Sequence, residues 1–234
     1  MIKRNKKCSP CSHIVSCLSF MTLALLLSGF LLFKAPARAA VIKPGQESSL
    51  IWFGDSRTVY FASAVYGYKP KKHTRPLTVY KKHVVAKSGT TLGWARGTGY
   101  RKLCKRLKKN PAATVIMNFG VNDIGRGYDH KGGYLSLIRK IHKKYPRATL
   151  CFMSVNPVKA SSRNPYARTR AKAKRVNQRI ASFNSYIHNK LPKGWVYINS
   201  NRNVSFSYKD GLHYTKAAYR RICRYVTGKK RLSK

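Results

Sequence analysis

The sequence predicts an α/β domain, a three-layer α/β/α sandwich in which about five mainly parallel strands lie between helices. Three observations predict it. Short apolar runs recur at 50–53, 77–86, 114–119, 149–155 and 195–199. The stretches between them carry apolar residues at helical spacing. Polar residues with chemical capacity stand just past the ends of the runs, and that edge is where parallel sheets place their sites.

The first run, Leu50-Ile51-Trp52-Phe53, enters Gly54-Asp55-Ser56, and Thr58–Ala64 continues as a helix. Strand, tight turn and helix leave a serine hydroxyl at the sheet edge, beside N–H groups that can steady a negative charge. Taken alone, Ser56 reads first as a helix cap, and the later clusters reverse that reading. The second run, 77–86, is read as one strand ending in Lys87-Ser88-Gly89, after a basic loop at 66–75. Residues 93–109 read as a helix stopped by Asn110-Pro111. The buried strand 114–119 ends in Gly120-Val121-Asn122-Asp123, and 134–145 is an amphipathic helix stopped by Pro146. The fourth strand ends in Asn156-Pro157. The clearest helix is 171–191, with Val176, Ile180, Phe183, Ile187 and Leu191 on one face. After the fifth strand come Asp210-Gly211-Leu212-His213 and a last helix capped by Thr215, with Ala218, Ile222 and Val226 aligned.

Ahead of this domain (50–228), residues 1–39 read as an export signal or an uncleaved membrane anchor. A basic start precedes the apolar stretch 14–33, and Ala37-Arg38-Ala39 offers small residues for cleavage before Ala40. Residues 40–49 read as a linker and 229–234 as a basic tail. Either fate of the leader places the domain outside the cytoplasm, as a secreted or cell-surface protein. Of six cysteines, Cys8, Cys11 and Cys17 fall in the leader. Cys104, Cys151 and Cys223 form neither a disulfide framework nor a zinc pattern, and leave room for at most one bridge. No metal site and no cofactor are expected.

An apolar fraction of 43% suffices for a core, but 49 Lys and Arg face five acids, a formal charge of +44. Only six of those bases lie in the first 39 residues, so the charge belongs to a globular surface. Such a surface attracts polyanions. Export favours an anionic cell-surface polymer over nucleic acid; a membrane is met through an uncleaved leader, and a monomer is expected. Three of the five acids, Asp55, Asp123 and Asp210, fall inside the polar clusters above.

Those clusters supply the parts of nucleophilic ester cleavage. Ser56 is the candidate nucleophile, His213 its base and Asp210 the carboxylate that orients the base. The backbone N–H groups of Ser56 and Gly89 and the side-chain amide of Asn122 are candidate oxyanion donors. Arg57 and Asn156 are candidate substrate contacts; Arg57, a cation beside the nucleophile, either attracts an anionic substrate or simply lies on the surface.

In order along the chain, Gly54-Asp55-Ser56, the glycine of Lys87-Ser88-Gly89, Gly120-Val121-Asn122-Asp123 and Asp210-Gly211-Leu212-His213 resemble the four blocks of the SGNH hydrolases, the GDSL-like lipase/esterase family. The resemblance spans nearly the whole exported domain. It implies a flavodoxin-like sandwich, a metal-free Ser-His-Asp mechanism and hydrolysis of acyl esters. It also makes Gly54, Asp55, Gly120 and Asp123 structural members of their blocks. Arg57 departs from the pattern, since many relatives have leucine there, and the second block is reduced to Gly89. The resulting expectation is an exported esterase acting on a small, acetyl-like ester of a polysaccharide or wall polymer. Acyl transfer on the same scaffold and a non-catalytic module for anionic polymers are the alternatives.

Overall fold

A computed structural model describes residues 41–42, 46–70 and 76–232. The leader read at 1–39 lies outside the described residues, as do 71–75 of the basic loop and 233–234 of the tail. The central sheet has six strands: β1 (Leu50–Gly54), β2 (Thr78–Lys81), β3 (Val84–Lys87), β4 (Thr114–Asn118), β5 (Thr149–Met153) and β6 (Val196–Ile198). Their order is β2-β3-β1-β4-β5-β6, and every neighbouring pair is parallel except β2 with β3.

The exception corrects the strand count. Residues 77–86 are not one strand but the first arm and most of the second arm of a hairpin, turning at Lys82-His83. The turn carries no glycine or asparagine to betray it. His83 is buried there, bonded through Nδ1 to the Leu50 carbonyl at 3.0 Å and stacked on Tyr66.

The parallel strands are buried on both faces, so their side chains divide by alternation. Ile51, Phe53, Val115, Met117, Leu150 and Phe152 join one core. Leu50, Trp52, Ile116, Cys151 and Met153 join the other. The second core is covered by helices α1 (Ser56–Tyr66) and α8 (Lys216–Thr227), through Phe61, Val65, Ile222, Cys223 and Val226. The first is covered by three helices. The stretch read as one helix at 93–109 is three successive segments: α2 (Leu92–Trp94), a π-helical turn (Ala95–Gly99) and α3 (Tyr100–Lys109). Leu103 and Leu107 of α3, Ile138 and Ile141 of α5 (Lys131–Lys144), and Ile180 and Phe183 of α6 (Arg170–Lys190) pack there. Each fully buried large side chain contributes about 1.5–3 kcal/mol. Two short helices, α4 (Val121–Arg126) and α7 (Ser200–Asn203), complete the set among the described residues.

The segment read as a linker is partly packed: Ile42 is buried and its N–H donates to the Val226 carbonyl at 2.8 Å. Cys104, Cys151 and Cys223 are buried and free. Burial pushes the Cys151 thiol up to about 12, so it is inert core.

Candidate active site

β1 ends at Gly54, whose hydrogen in place of a side chain is what lets α1 start so close to β4. A Cβ there would lie 1.9 Å from Thr58 Oγ1 and 2.6 Å from the Asn118 carbonyl oxygen. The carbonyl belongs to a paired strand and cannot yield. Gly54→Ala is therefore expected to lower unfolding stability by about 1–3 kcal/mol through overpacking, read from the urea midpoint. An unchanged midpoint would mean the turn is softer than its contacts imply.

The helix cap is Asp55, not Ser56. Asp55 has extended backbone angles and its Oδ1 accepts the Arg57 N–H at 2.9 Å. Burial pushes its carboxyl up to about 7, against the pull of the Arg57 charge and N–H. With the cap supplied by its neighbour, the Ser56 hydroxyl is available for another contact. Its Oγ lies 2.9 Å from His213 Nε2.

His213 is held by a loop folded around one carboxylate. Oδ1 of Asp210 accepts the backbone N–H groups of Leu212 (3.0 Å) and His213 (2.7 Å). Oδ2 lies 2.8 Å from His213 Nδ1. Gly211 makes the turn possible: its φ is +82°, and a Cβ would lie 2.4 Å from the Lys159 carbonyl oxygen. Burial pushes the Asp210 carboxyl up, but the His213 N–H, the imidazole and the Leu212 N–H pull harder, and the net shift is downward. Burial moves His213 below the ordinary histidine value; Asp210 opposes the shift, while the Arg57 and Lys209 charges reinforce it. The result is an ionised carboxylate behind a neutral imidazole.

Opposite stands Asn122, on the first turn of α4 and 2% exposed. Its Nδ2 donates to the Thr90 carbonyl at 2.8 Å, and its Oδ1 accepts the Tyr166 hydroxyl at 2.9 Å. Thr90 takes one of the two amide N–H groups and leaves the second. Gly89, with φ +70°, completes this side in a left-handed turn with open space where a Cβ would stand. Ser56, Gly89, Asn122 and His213 line one cavity of about 490 Å³. Tyr60, Pro76, Leu77, Pro165, Tyr166 and Leu212 supply its apolar lining.

Asp123, fully buried, ties the surroundings together. It accepts the Leu92 N–H (3.2 Å) and the Tyr134 hydroxyl (2.6 Å), and lies 2.6 Å from His130 Nδ1. Gly120 opens α4 with φ +118°, where a Cβ would lie 2.9 Å from the Val155 side chain.

Two expected substrate contacts are corrected. Arg57 does not face solvent or the cavity. It is 2% exposed, and its guanidinium donates to the carbonyls of Leu212 (3.1 Å), Asn156 (2.7 Å) and Pro157 (3.2 Å). It also stacks at 4.8 Å on the Tyr214 ring. Asn156 is likewise buried, its Oδ1 accepting the hydroxyls of Ser200 (2.8 Å) and Ser154 (3.4 Å). The Arg57 guanidinium and the Asn156 Oδ1 are engaged in holding loops. Sequence reasoning missed Thr90 and Tyr166, which hold the two ends of the Asn122 amide. Among the described residues, no group of three His, Cys, Asp or Glu side chains is placed to hold a metal ion.

The geometry is that of a hydroxyl, a base and an orienting carboxylate in line, with amide donors across a cavity. A model of the GDSL-like lipase/acylhydrolase family matches residues 52–221. Among solved structures, the chain is similar to a putative platelet activating factor from Streptococcus pneumonia, with 17% identity and TM-score 0.53, covering 88% of this chain and 97% of that one. It is also similar to the C-terminal domain of the Drosophila Oskar protein, with 17% identity and TM-score 0.57, covering 81% and 90%. At such identity these two share the fold. No curated protein matches the chain.

Proposed function

The chain belongs to the GDSL-like lipase/acylhydrolase family and is a hydrolase, and on that premise we propose that it is an exported serine esterase with Ser56 as nucleophile, His213 as general base and Asp210 as the orienting carboxylate. The unbroken line Asp210 Oδ2–His213 Nδ1 (2.8 Å), His213 Nε2–Ser56 Oγ (2.9 Å) carries this reading. With Nδ1 protonated and bonded to the carboxylate, Nε2 presents its lone pair to the serine O–H. His213 takes that proton as Oγ bonds to the ester carbonyl carbon. The carbonyl oxygen, now negative, is met by the N–H groups of Ser56 and Gly89 and by the free amide N–H of Asn122. The imidazolium, stabilised by Asp210, returns the proton to the leaving alcohol as the ester bond breaks. Water then attacks the acyl-serine by the same route, releasing the acid and restoring the hydroxyl.

The substrate we propose is a small, acetyl-like ester on an anionic polysaccharide or wall polymer. The cavity of about 490 Å³, lined by Tyr60, Pro76, Leu77, Pro165, Tyr166 and Leu212 around Ser56, has room for a small acyl group together with part of the chain that bears it. The surface supports an anionic polymer: five acids cannot neutralise 49 bases, Asp55 and Asp123 are buried, and Asp129 and Glu47 already pair with Lys131 and Lys229. The leader supports export.

A fluorophosphonate probe tests the core of the proposal. Incubated with the purified full-length protein, it should form one adduct, located by peptide mass spectrometry on Ser56, with parallel loss of aryl acetate turnover. A folded protein that neither labels nor turns over aryl acetate would overturn the assignment of Ser56 and leave the cationic surface as the leading clue.

A further inference from the structure

Asn122 can serve an oxyanion only if its amide presents nitrogen, not oxygen, and presents it at a fixed angle. The two ends of the amide are nearly equal in shape and opposite in hydrogen bonding. The Thr90 carbonyl can only accept, so it selects the nitrogen end on its side. One hydrogen bond fixes the polarity but leaves the amide plane free to swing about the Nδ2–Thr90 axis. The second point of attachment is the Tyr166 hydroxyl on Oδ1 at 2.9 Å.

We propose that Tyr166 is a positioning residue for catalysis: its hydroxyl locks the plane of the Asn122 amide so that the second N–H stays aimed at the oxyanion. This rests on the reading of Asn122 as an oxyanion donor. A donor bond to Oδ1 also polarises the amide, making its remaining N–H a stronger donor. Losing that bond strands an acceptor on a side chain that is 2% exposed.

Tyr166 is itself well held. A Cβ added at Gly125 would lie 2.4 Å and 2.5 Å from the tyrosine ring, so the ring lies directly on the backbone of α4, the helix that carries Asn122. The Tyr166 N–H donates to Asn164 Oδ1 at 3.0 Å. Asn164 is fully buried and its Nδ2 donates to the carbonyls of Lys159 (3.0 Å) and Gly211 (3.1 Å). Gly211 lies two residues before His213, so one loop is stitched to both halves of the site. Gly125 has no other evident reason to be a glycine, and the sequence alone offers none.

The test is a double-mutant cycle on the full-length protein with aryl acetate. Asn122→Ala should lower kcat by about 10²–10³-fold. Tyr166→Phe keeps the ring on Gly125 and removes only the hydroxyl. It should lower kcat about tenfold, the size of one neutral hydrogen bond, with KM near wild type and Tm lowered by no more than a few degrees. In the Asn122→Ala background the same change should cost nothing further. Gly125→Ala, which displaces the ring, should reproduce the loss and be silent in that background as well. Wild-type kcat in Tyr166→Phe beside a crippled Asn122→Ala overturns the positioning role alone. So does a tenfold loss that persists without Asn122, since Tyr166 would then act elsewhere. Wild-type kcat in Asn122→Ala removes the oxyanion reading, and this inference falls with it.

Discussion

Replacing Ser56 by alanine is expected to lower kcat on aryl acetate by about 10⁴-fold or more and to abolish the fluorophosphonate adduct. The size follows from the loss of the covalent route, which leaves polarisation and unassisted attack by water. His213→Ala should cost a similar factor, and the Ser56→Ala, His213→Ala double variant no more than either alone, because the two side chains act as one unit. The proton moves across a single 2.9 Å contact, and neither partner has a use without the other. The variant is also a clean one. Asp55, not Ser56, supplies the side-chain cap of α1, so the helix keeps its start and the unfolding free energy read from the urea midpoint should change by less than about 0.5 kcal/mol. Burst kinetics of His213→Ala, which keeps the Ser56 hydroxyl, would separate acylation from deacylation and show at which step its loss falls. Turnover in Ser56→Ala within tenfold of wild type would exclude the acyl-serine route, whatever the geometry.

Much of the sheet was legible because parallel strands buried on both faces read as near-continuous apolar runs, and 50–53, 115–117 and 150–153 are such runs. The hairpin was not, because buried His83 continues the strand pattern through a turn without turn residues. Helices α4 and α7 span six and four residues, too few to show a period. The candidate site was legible to the extent that its chemistry resides in side chains at strand ends: Ser56, Gly89, Asn122 and His213 meet in one cavity, and Asp210 stands behind His213. Its supports were not legible. Arg57 bonds to backbone carbonyls 99, 100 and 155 residues away, and a carbonyl carries no mark of identity in the sequence. A charged residue next to the nucleophile therefore looked like a surface cation. Tyr166, 44 residues from Asn122, is one of 15 tyrosines and lies in no block.

Arg57→Met is expected to destabilise the fold by about 2–5 kcal/mol and to move the acid limb of the pH–rate profile upward. The first effect comes from hydrogen bonding. Removing the guanidinium strands the buried carbonyls of Leu212 and Asn156, each at a cost of about 1–3 kcal/mol. The Pro157 carbonyl is spared, since the Tyr208 (3.2 Å) and Tyr214 (3.1 Å) hydroxyls also bond to it. The second effect is electrostatic. His213 must be neutral to act as base, and burial, then the Arg57 and Lys209 charges, hold its pKa below 6.5 against the pull of Asp210. In the wild type, kcat/KM should accordingly fall only as pH drops through a midpoint below 6.5. Without the Arg57 charge the imidazolium is easier to form, the midpoint rises, and activity at pH 6 falls relative to pH 8. Arg57→Lys separates the two effects. It keeps the charge, so the acid limb should stay near wild type, but one ammonium cannot serve three carbonyls in a fork, so most of the stability should still be lost. The urea midpoint and the kcat/KM–pH profile of the two variants decide the matter. Both variants at wild-type stability would mean that the loops carrying Pro157 and His213 hold without the clamp. An unmoved acid limb in Arg57→Met would mean that burial and the Lys209 charge keep the imidazole neutral without Arg57.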